Sequence, residues 1–336
     1  MERYARQIVF RHIGKEGQRK LLGSKIAIIG MGALGTVSAN NLCRSGVGHI
    51  RMVDRDYVEL TNLQRQVLFN EDDARQRLPK VIAARDHLSK VNSEITLEPI
   101  IADVSSSNIE QIVKDIDLVL DATDNWEVRV LINEACCEYK IPWIYCGAIG
   151  GEGMTMNILP EEDKPCLRCF ISGTPSTSAH SCSTFGVLNM ITNVMASTQT
   201  AEAVKILIGS DSVRKELLSV DLWRNHTAAI AIEKNPDCLV CVHKQYEYLG
   251  KVSGSYTTSI CGSNSVQIVP AKTVAVDFPA LAQRLEKIGV VSFSQYSLIF
   301  SNDNYEIMLF GDGRAMIKNA IDENNAKSIY TEYIGL

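Results

Sequence analysis

The sequence predicts an α/β fold, with a doubly wound, Rossmann-like, mostly parallel sheet followed by a small α+β unit toward the C-terminus. Two patterns lead there. Ile26, Ala27, Ile28 and Ile29 form the short apolar run of a buried parallel strand, and Gly30, Gly32 and Gly35 follow in G-x-G-x-x-G spacing. Downstream, short apolar runs alternate with helical ones, the order that βαβ units require.

Taken in order, the N-terminal stretch is mixed and charged, with Arg3-Tyr4-Ala5-Arg6-Gln7 ahead of a helical segment at 18–22. In the glycine turn, the first glycine bends the chain, the second lets backbone approach phosphate, and the third lets the next helix pack closely. An anion then meets a helix N-terminus. That helix runs to about Ser45, where Gly46 and Gly48 stop it. A second strand, 49–53, ends in Asp54, an acidic residue about 20 positions past the glycine loop, where such folds hold a ribose hydroxyl. Pro79 suits the first turn of a helix reaching Val91. Strands at 95–101, 117–121 and 143–146, with helices at 108–114 and 126–139, complete the sheet. Residues 147–153 read as flexible, 154–159 as a further strand, and 161–184 as a long polar loop rich in cysteine. A deeply buried helix is expected within 186–209, and strands at 217–222 and 228–232 close the main domain.

Composition shifts near Lys244, and Gly250, Ser253, Gly254 and Ser255 read as a linker, so two domains are expected, 1–243 and 244–336. The second holds a strand at 266–269, a helix at 278–288, a hairpin through 296–318 and a helix at 323–333. A chain of 336 residues that is 46% hydrophobic can fill one sizeable core and a smaller one. The formal net charge of -5, without a basic patch, argues against a nucleic-acid partner. No leader opens the chain and no apolar run approaches the roughly 20 residues of a membrane span, so a soluble, cytoplasmic protein is expected.

Ten cysteines in such a setting favour metal or catalysis over disulfides. Cys166-Leu167-Arg168-Cys169 and Cys238-Leu239-Val240-Cys241 are two C-x-x-C knuckles. Four thiolates satisfy tetrahedral Zn²⁺ and leave no open position, which makes a structural site that staples the long loop; redox pairs are the alternative. Cys43, Cys136, Cys137, Cys146 and Cys261 read as small core hydrophobes. Cys182, in H-S-C-S-T-F-G ahead of the long helix, is a candidate nucleophile or an inert thiol. Asp124, in D-A-T-D-N at a strand's carboxyl end, suits Mg²⁺ beside phosphates, or an N-cap before Trp126. Arg6, Arg65 and Lys80 can neutralise phosphate charge. The histidines and serines show no triad pattern.

Together these pieces resemble the ThiF/MoeB/HesA family of ubiquitin-activating-like adenylyltransferases, the sulfur-carrier protein activating enzymes. R-Y-A-R-Q at 3–7, the glycine loop, D-R-D-Y-V-E-L-T-N-L-Q-R-Q at 54–66, P-K at 79–80, D-A-T-D-N at 121–125 and both knuckles stand in family order up to about His243. The resemblance implies that ATP is a substrate, that Asp54 binds its ribose, that Asn62, Arg65 and Lys80 engage its phosphates, and that Asp124 holds Mg²⁺ with Asn125 beside the nucleotide. It implies a homodimer in which Arg6 reaches the other subunit's nucleotide. The reaction it implies is adenylation of the C-terminal glycine of a small ubiquitin-like carrier, ThiS-like or MoaD-like, ending in Gly-Gly. Pyrophosphate leaves, and sulfur then comes from a donor such as a cysteine desulfurase or a rhodanese. Cys182 matches the family's C-x-x-x-G-V, which in some members bonds covalently to the carrier, although Leu188-Asn189-Met190 replaces the usual Gly-Pro. The unit after about Ser253 lies outside the shared region and would grip the carrier or extend the dimer. The alternatives are a nicotinamide-dependent oxidoreductase, which the glycine loop alone favours, and activation of a peptide or other carrier in a natural-product pathway.

Overall fold

The structure, a computed structural model, describes residues 1–161, 163–171, 185–251, 256–260, 265–270 and 274–335. The chain divides into two units, Met1–Lys251 and Val252–Leu336.

The first unit holds an eight-stranded sheet. Its strands are β1 Lys25–Ile29, β2 His49–Asp54, β3 Thr96–Ile101, β4 Leu118–Asp121, β5 Trp143–Ile149, β6 Glu152–Ile158, β7 Leu217–Asp221 and β8 His226–Ile230, in the order β3-β2-β1-β4-β5-β6-β7-β8. β1 to β5 pair in parallel, and β6, β7 and β8 add on antiparallel. The mostly parallel, doubly wound sheet is thus the one expected from the sequence. Its helices are α1 Ala5–Val9, α2 Gly14–Gly23, α3 Ala33–Ser45, α4 Glu71–Arg75, α5 Lys80–Val91, α6 Ile109–Val113, α7 Trp126–Tyr139, α8 Leu167–Phe170 and α9 Asn189–Ile208.

The strand order reverses between β1 and β4, and open α/β sheets bind ligands at such a switch point, beyond the carboxyl ends of the strands. Ile29 lies level with Val53 on one side and with Asp121 on the other, so the carboxyl ends of β2, β1 and β4 form one rim. α3 ends as expected, with Gly46 as its C-cap at φ +80, a left-handed conformation that glycine adopts without strain. α9 buries residues on more than one side, Ile191, Met195, Gln199 and Ala203 among them, which fits its position against both α3 and the sheet.

Residues 147–153 are not a flexible stretch. β5 continues to Ile149 and turns into β6, with Ala148 paired to Gly153 and Ile149 to Glu152. Gly150 at φ +58 makes the turn, and a side chain at Gly153 would collide with Met195 of α9. These glycines therefore serve a tight hairpin and a close helix contact.

The second unit is a six-stranded antiparallel sheet, ordered β11-β12-β13-β14-β10-β9. The strands are β9 Tyr256–Ile260, β10 Ser265–Val269, β11 Val290–Phe293, β12 Ser297–Ser301, β13 Glu306–Phe310 and β14 Ala315–Lys318; the helices are α10 Phe278–Leu285 and α11 Glu323–Tyr333. Period-2 residues Leu298, Phe300, Ile307, Leu309, Ala315 and Ile317 pack with Phe278, Ala282 and Leu285 of α10 and with Ala326 and Ile329 of α11. The expected hairpin through 296–318 is a three-stranded meander with β11 at its edge. β11 gives little sequence signal because Val290 and Phe293 are both exposed. Among the described residues, no helix is long and apolar enough to cross a membrane.

Candidate active site

The rim is built on close backbone contact. Gly30 has φ +95, and a Cβ there would lie 2.6 Å from the Ala122 carbonyl oxygen; a Cβ on Gly35 would collide with the Gly30 carbonyl oxygen. Gly30 and Gly35 are thus required by internal packing. Gly32 is different, since its Cβ would meet only Gln66 Nε2, at 4.0 Å, and an approaching ligand remains the reason for a glycine there.

Asp54, at the end of β2, accepts hydrogen bonds from the backbone N–H of Met31 at 2.6 Å and of Asp56 at 2.8 Å. Its carboxylate is therefore fastened to the glycine turn, and each oxygen keeps a further lone pair for a hydroxyl. Burial pushes its pKa up, and the Lys80 ammonium pulls against that. Lys80, the first residue of α5, is only 7% exposed, with Nζ 3.0 Å from Asp56 Oδ2. Burial opposes its charge, but Asp56, Asp54 and Asp124 together outweigh burial and raise its pKa, so it stays an ammonium. Lys80 is therefore a buried, paired cation at the rim.

Asn62 is buried and caps its own turn, its Oδ1 accepting from the Glu59 N–H at 3.1 Å. Arg65 is half-buried on the next turn and donates from Nη1 to the Thr61 carbonyl at 2.9 Å. Asp124 is exposed at the mouth of the rim, in the electrostatic field of Lys80, Arg55 and Arg129. It is not the cap of α7. Asn125 takes that role, its Oδ1 accepting from the Val128 N–H at 3.2 Å, which leaves the Asp124 carboxylate uncommitted to the helix.

Three supporting residues went unnoticed in the sequence. Arg129, near the start of α7, donates to Asp121 Oδ2 at 3.0 Å, to the Thr123 carbonyl, and to the Cys146 carbonyl at 3.3 Å. Its guanidinium lies 5.2 Å from the centroid of the Tyr145 ring. Gln199 of α9, fully buried, donates to the carbonyls of Asp121 and Ile144. Arg55 pairs with Asp103 beyond β3, at 3.2 Å. Spacing gave no warning of these, because an arginine or glutamine on a helix or after a strand reads as a solvated surface residue.

Arg6 lies exposed on α1, and no side-chain bond ties it to the rim among the described residues. Cys182 and Cys261 lie outside the described residues. Cys43, Cys136 and Cys146 are buried as expected, whereas Cys137 is only half-buried.

Cys166, Cys169, Cys238 and Cys241 converge, with all four Sγ atoms within 4.8 Å of one another. The Cys166–Cys238 and Cys169–Cys241 sulfurs are both 3.6 Å apart, and Cys166–Cys169 4.0 Å. Zinc–sulfur bonds of about 2.3 Å in a tetrahedron give sulfur separations of about 3.8 Å, so the donor set and its spacing fit Zn²⁺. Glu134 of α7, fully buried, accepts from the N–H groups of Glu247, Tyr248 and Leu249 at 2.7–2.9 Å, which fastens the end of the first unit against α7.

A glycine turn at a switch point, flanked by a buried lysine and carboxylates, has the form of a nucleotide-binding site in an α/β protein. Comparison with known proteins narrows the class. The ThiF family matches residues 4–240, and the chain belongs to that family. It is 38% identical, over 336 residues and 99% of each chain, to the sulfur carrier protein ThiS adenylyltransferase of Bacillus subtilis (strain 168). It is 35% identical over 242 residues to the molybdopterin-synthase adenylyltransferase of Escherichia coli (strain K12), covering 72% of this chain and 96% of that one. In fold it is similar to the E. coli MccB structure with ATP, at a TM-score of 0.62 and 23% identity over 71% of this chain and 74% of that one.

Proposed function

We propose that the protein is an adenylyltransferase that uses ATP to activate the C-terminal glycine of a small ubiquitin-like sulfur carrier ending in Gly-Gly. The convergence of Asp54, Lys80 and Asp124 on the glycine turn carries this reading, in a chain of the ThiF family. A ThiS-like carrier is favoured over a MoaD-like one because the ThiS adenylyltransferase of B. subtilis matches 99% of this chain, its second unit included.

The chemistry suits a site without a catalytic histidine. A C-terminal carboxylate has a pKa of about 3.5 and is ionised at neutral pH, so it needs no general base. One of its oxygens bonds to the α-phosphorus, the bond from that phosphorus to the bridging oxygen breaks, and pyrophosphate leaves with the electron pair. The obstacle is repulsion between two anions. Lys80 and Arg65 offset the phosphate charge, and the N–H groups at the start of α3 meet the phosphates. Asp54 accepts the ribose hydroxyl, while Asn62 and Asn125 hold the turns on which Arg65 and Asp124 sit. Mg²⁺ beside Asp124 would offset further triphosphate charge. Zn²⁺ on Cys166, Cys169, Cys238 and Cys241 would be structural, joining α8 to the end of the first unit.

The finer reading is a cytoplasmic homodimer. Arg6 would reach a second copy's nucleotide, a role that the exposed Val9 and Phe10 beside it support as a contact surface. Cys182 would be the residue that bonds to the carrier, and a cysteine desulfurase or rhodanese the sulfur donor. Mass spectrometry of a ThiS-like carrier incubated with enzyme and ATP, without sulfur donor, tests the reaction. A carrier bearing AMP on its C-terminal carboxylate supports it. Unmodified carrier, together with NAD retained by the protein, would support the oxidoreductase instead.

A further inference from the structure

Lys80 sits where a cation is least welcome. It is buried, it opens α5, and the positive end of a helix dipole disfavours an ammonium there. Its long side chain also has rotamer freedom to lose before it can point anywhere in particular. Of the carboxylates that face it, Asp54 at the end of β2 is committed to two backbone N–H groups, and Asp124 after β4 is exposed. Asp56 is the one in hydrogen-bond contact.

The contact is double. Lys80 donates from Nζ to Asp56 Oδ2 at 3.0 Å and from its backbone N–H to the Asp56 carbonyl at 2.9 Å. The two segments also run as a short antiparallel bridge, Tyr57 opposite Pro79, with the Val58 N–H on the Leu78 carbonyl at 2.9 Å. The other carboxylate oxygen of Asp56 faces Arg55 Nε at 3.9 Å, and Arg55 is held in turn by Asp103. One carboxylate thus stands between Lys80 and Arg55.

We infer that Asp56 is a positioning residue, which acts on the nucleotide through Lys80 by holding its ammonium at the rim. This rests on the adenylyltransferase reading only for what Lys80 serves. A carboxylate with one oxygen toward each cation keeps Lys80 from folding away, and it leaves the remaining ammonium protons for the phosphates.

The test is a double-mutant cycle on ATP affinity, measured by calorimetry without carrier, so that failure of the carrier reaction and failure of this inference stay separate. Asp56→Asn should weaken ATP binding about tenfold, as should Lys80→Met, and Asp56→Glu should restore most of the loss. The Asp56→Asn/Lys80→Met pair should bind no worse than Lys80→Met alone, because a residue acting through Lys80 has nothing left to act on. Additive losses would overturn the inference and leave Asp56 an independent structural role. A defect in Asp56→Asn that vanishes at high magnesium would overturn it too, by placing Asp56 at the metal. Circular dichroism of each variant confirms the fold, and rescue by Asp56→Glu keeps the test decisive if Asp56→Asn is unstable.

Discussion

Gln199 Nε2 donates to the carbonyl oxygen of Asp121 at 2.9 Å, joining α9 to the end of β4 just before the chain turns toward Asp124. The same amide reaches the Ile144 carbonyl at 3.0 Å, and its oxygen accepts from Ser38 of α3 at 3.1 Å. Gln199→Leu keeps roughly the same volume but strips both carbonyls of their partner. The expected loss is about 2–4 kcal/mol in urea unfolding, with a lower rate of pyrophosphate exchange as the Asp124 loop loosens. Unchanged stability would show that the amide does not hold the switch point.

The glycine turn separates packing from binding. Gly35→Ala drives a methyl into the Gly30 carbonyl and should lower both the melting temperature and ATP affinity. Gly32→Ala has its nearest neighbour at 4.0 Å and should melt near the wild-type temperature while losing about tenfold or more in ATP affinity, read by calorimetry. Wild-type affinity in Gly32→Ala would remove the phosphates from this turn.

Metal analysis of the purified protein should find one zinc per chain. Cys169→Ser should lose it and melt more than about 5 °C lower, because α8 and the segment around Cys238 lose their joint. A zinc-free protein of full stability would mean the four thiols pack without a metal.

Glu202 makes part of the acid sensitivity predictable. Burial raises its pKa, but Lys205 at 2.6 Å, the Arg214 N–H at 2.9 Å and Asn157 at 2.7 Å outweigh burial and hold it below the usual carboxylate value. A depressed folded-state pKa gives stability that is complete above the unfolded value and is lost as pH falls through the folded one. Stability should therefore fall below about pH 4, and Glu202→Gln should be less stable at neutral pH with a flatter acid slope, read by urea unfolding across pH.

Much of this was legible in the sequence for a physical reason. The turn glycines, Pro79 ahead of α5 and the two knuckles are local signals, each fixed by backbone geometry or metal chemistry within a few residues. The bounds expected for α7 and α11 agree with the structure, where Asn125 and Asp322 cap their first turns. What escaped is non-local. Arg129 and Gln199 act across 17 and 78 residues of chain, a reach no spacing rule carries. The hairpin at 147–153 differs from the flexible stretch expected because glycine marks both a loose loop and a tight turn, and strand pairing with the Met195 contact at Gly153 makes it the latter. The edge strand β11 turns only Val291 toward the core, too little to make a pattern.

Carrier-dependent exchange of labelled pyrophosphate into ATP tests the central claim most directly. With a ThiS-like carrier ending in Gly-Gly, label should enter ATP, and truncating the terminal glycine should abolish it. ATP bound tightly, but with no exchange in the presence of any Gly-Gly carrier, would contradict the claim.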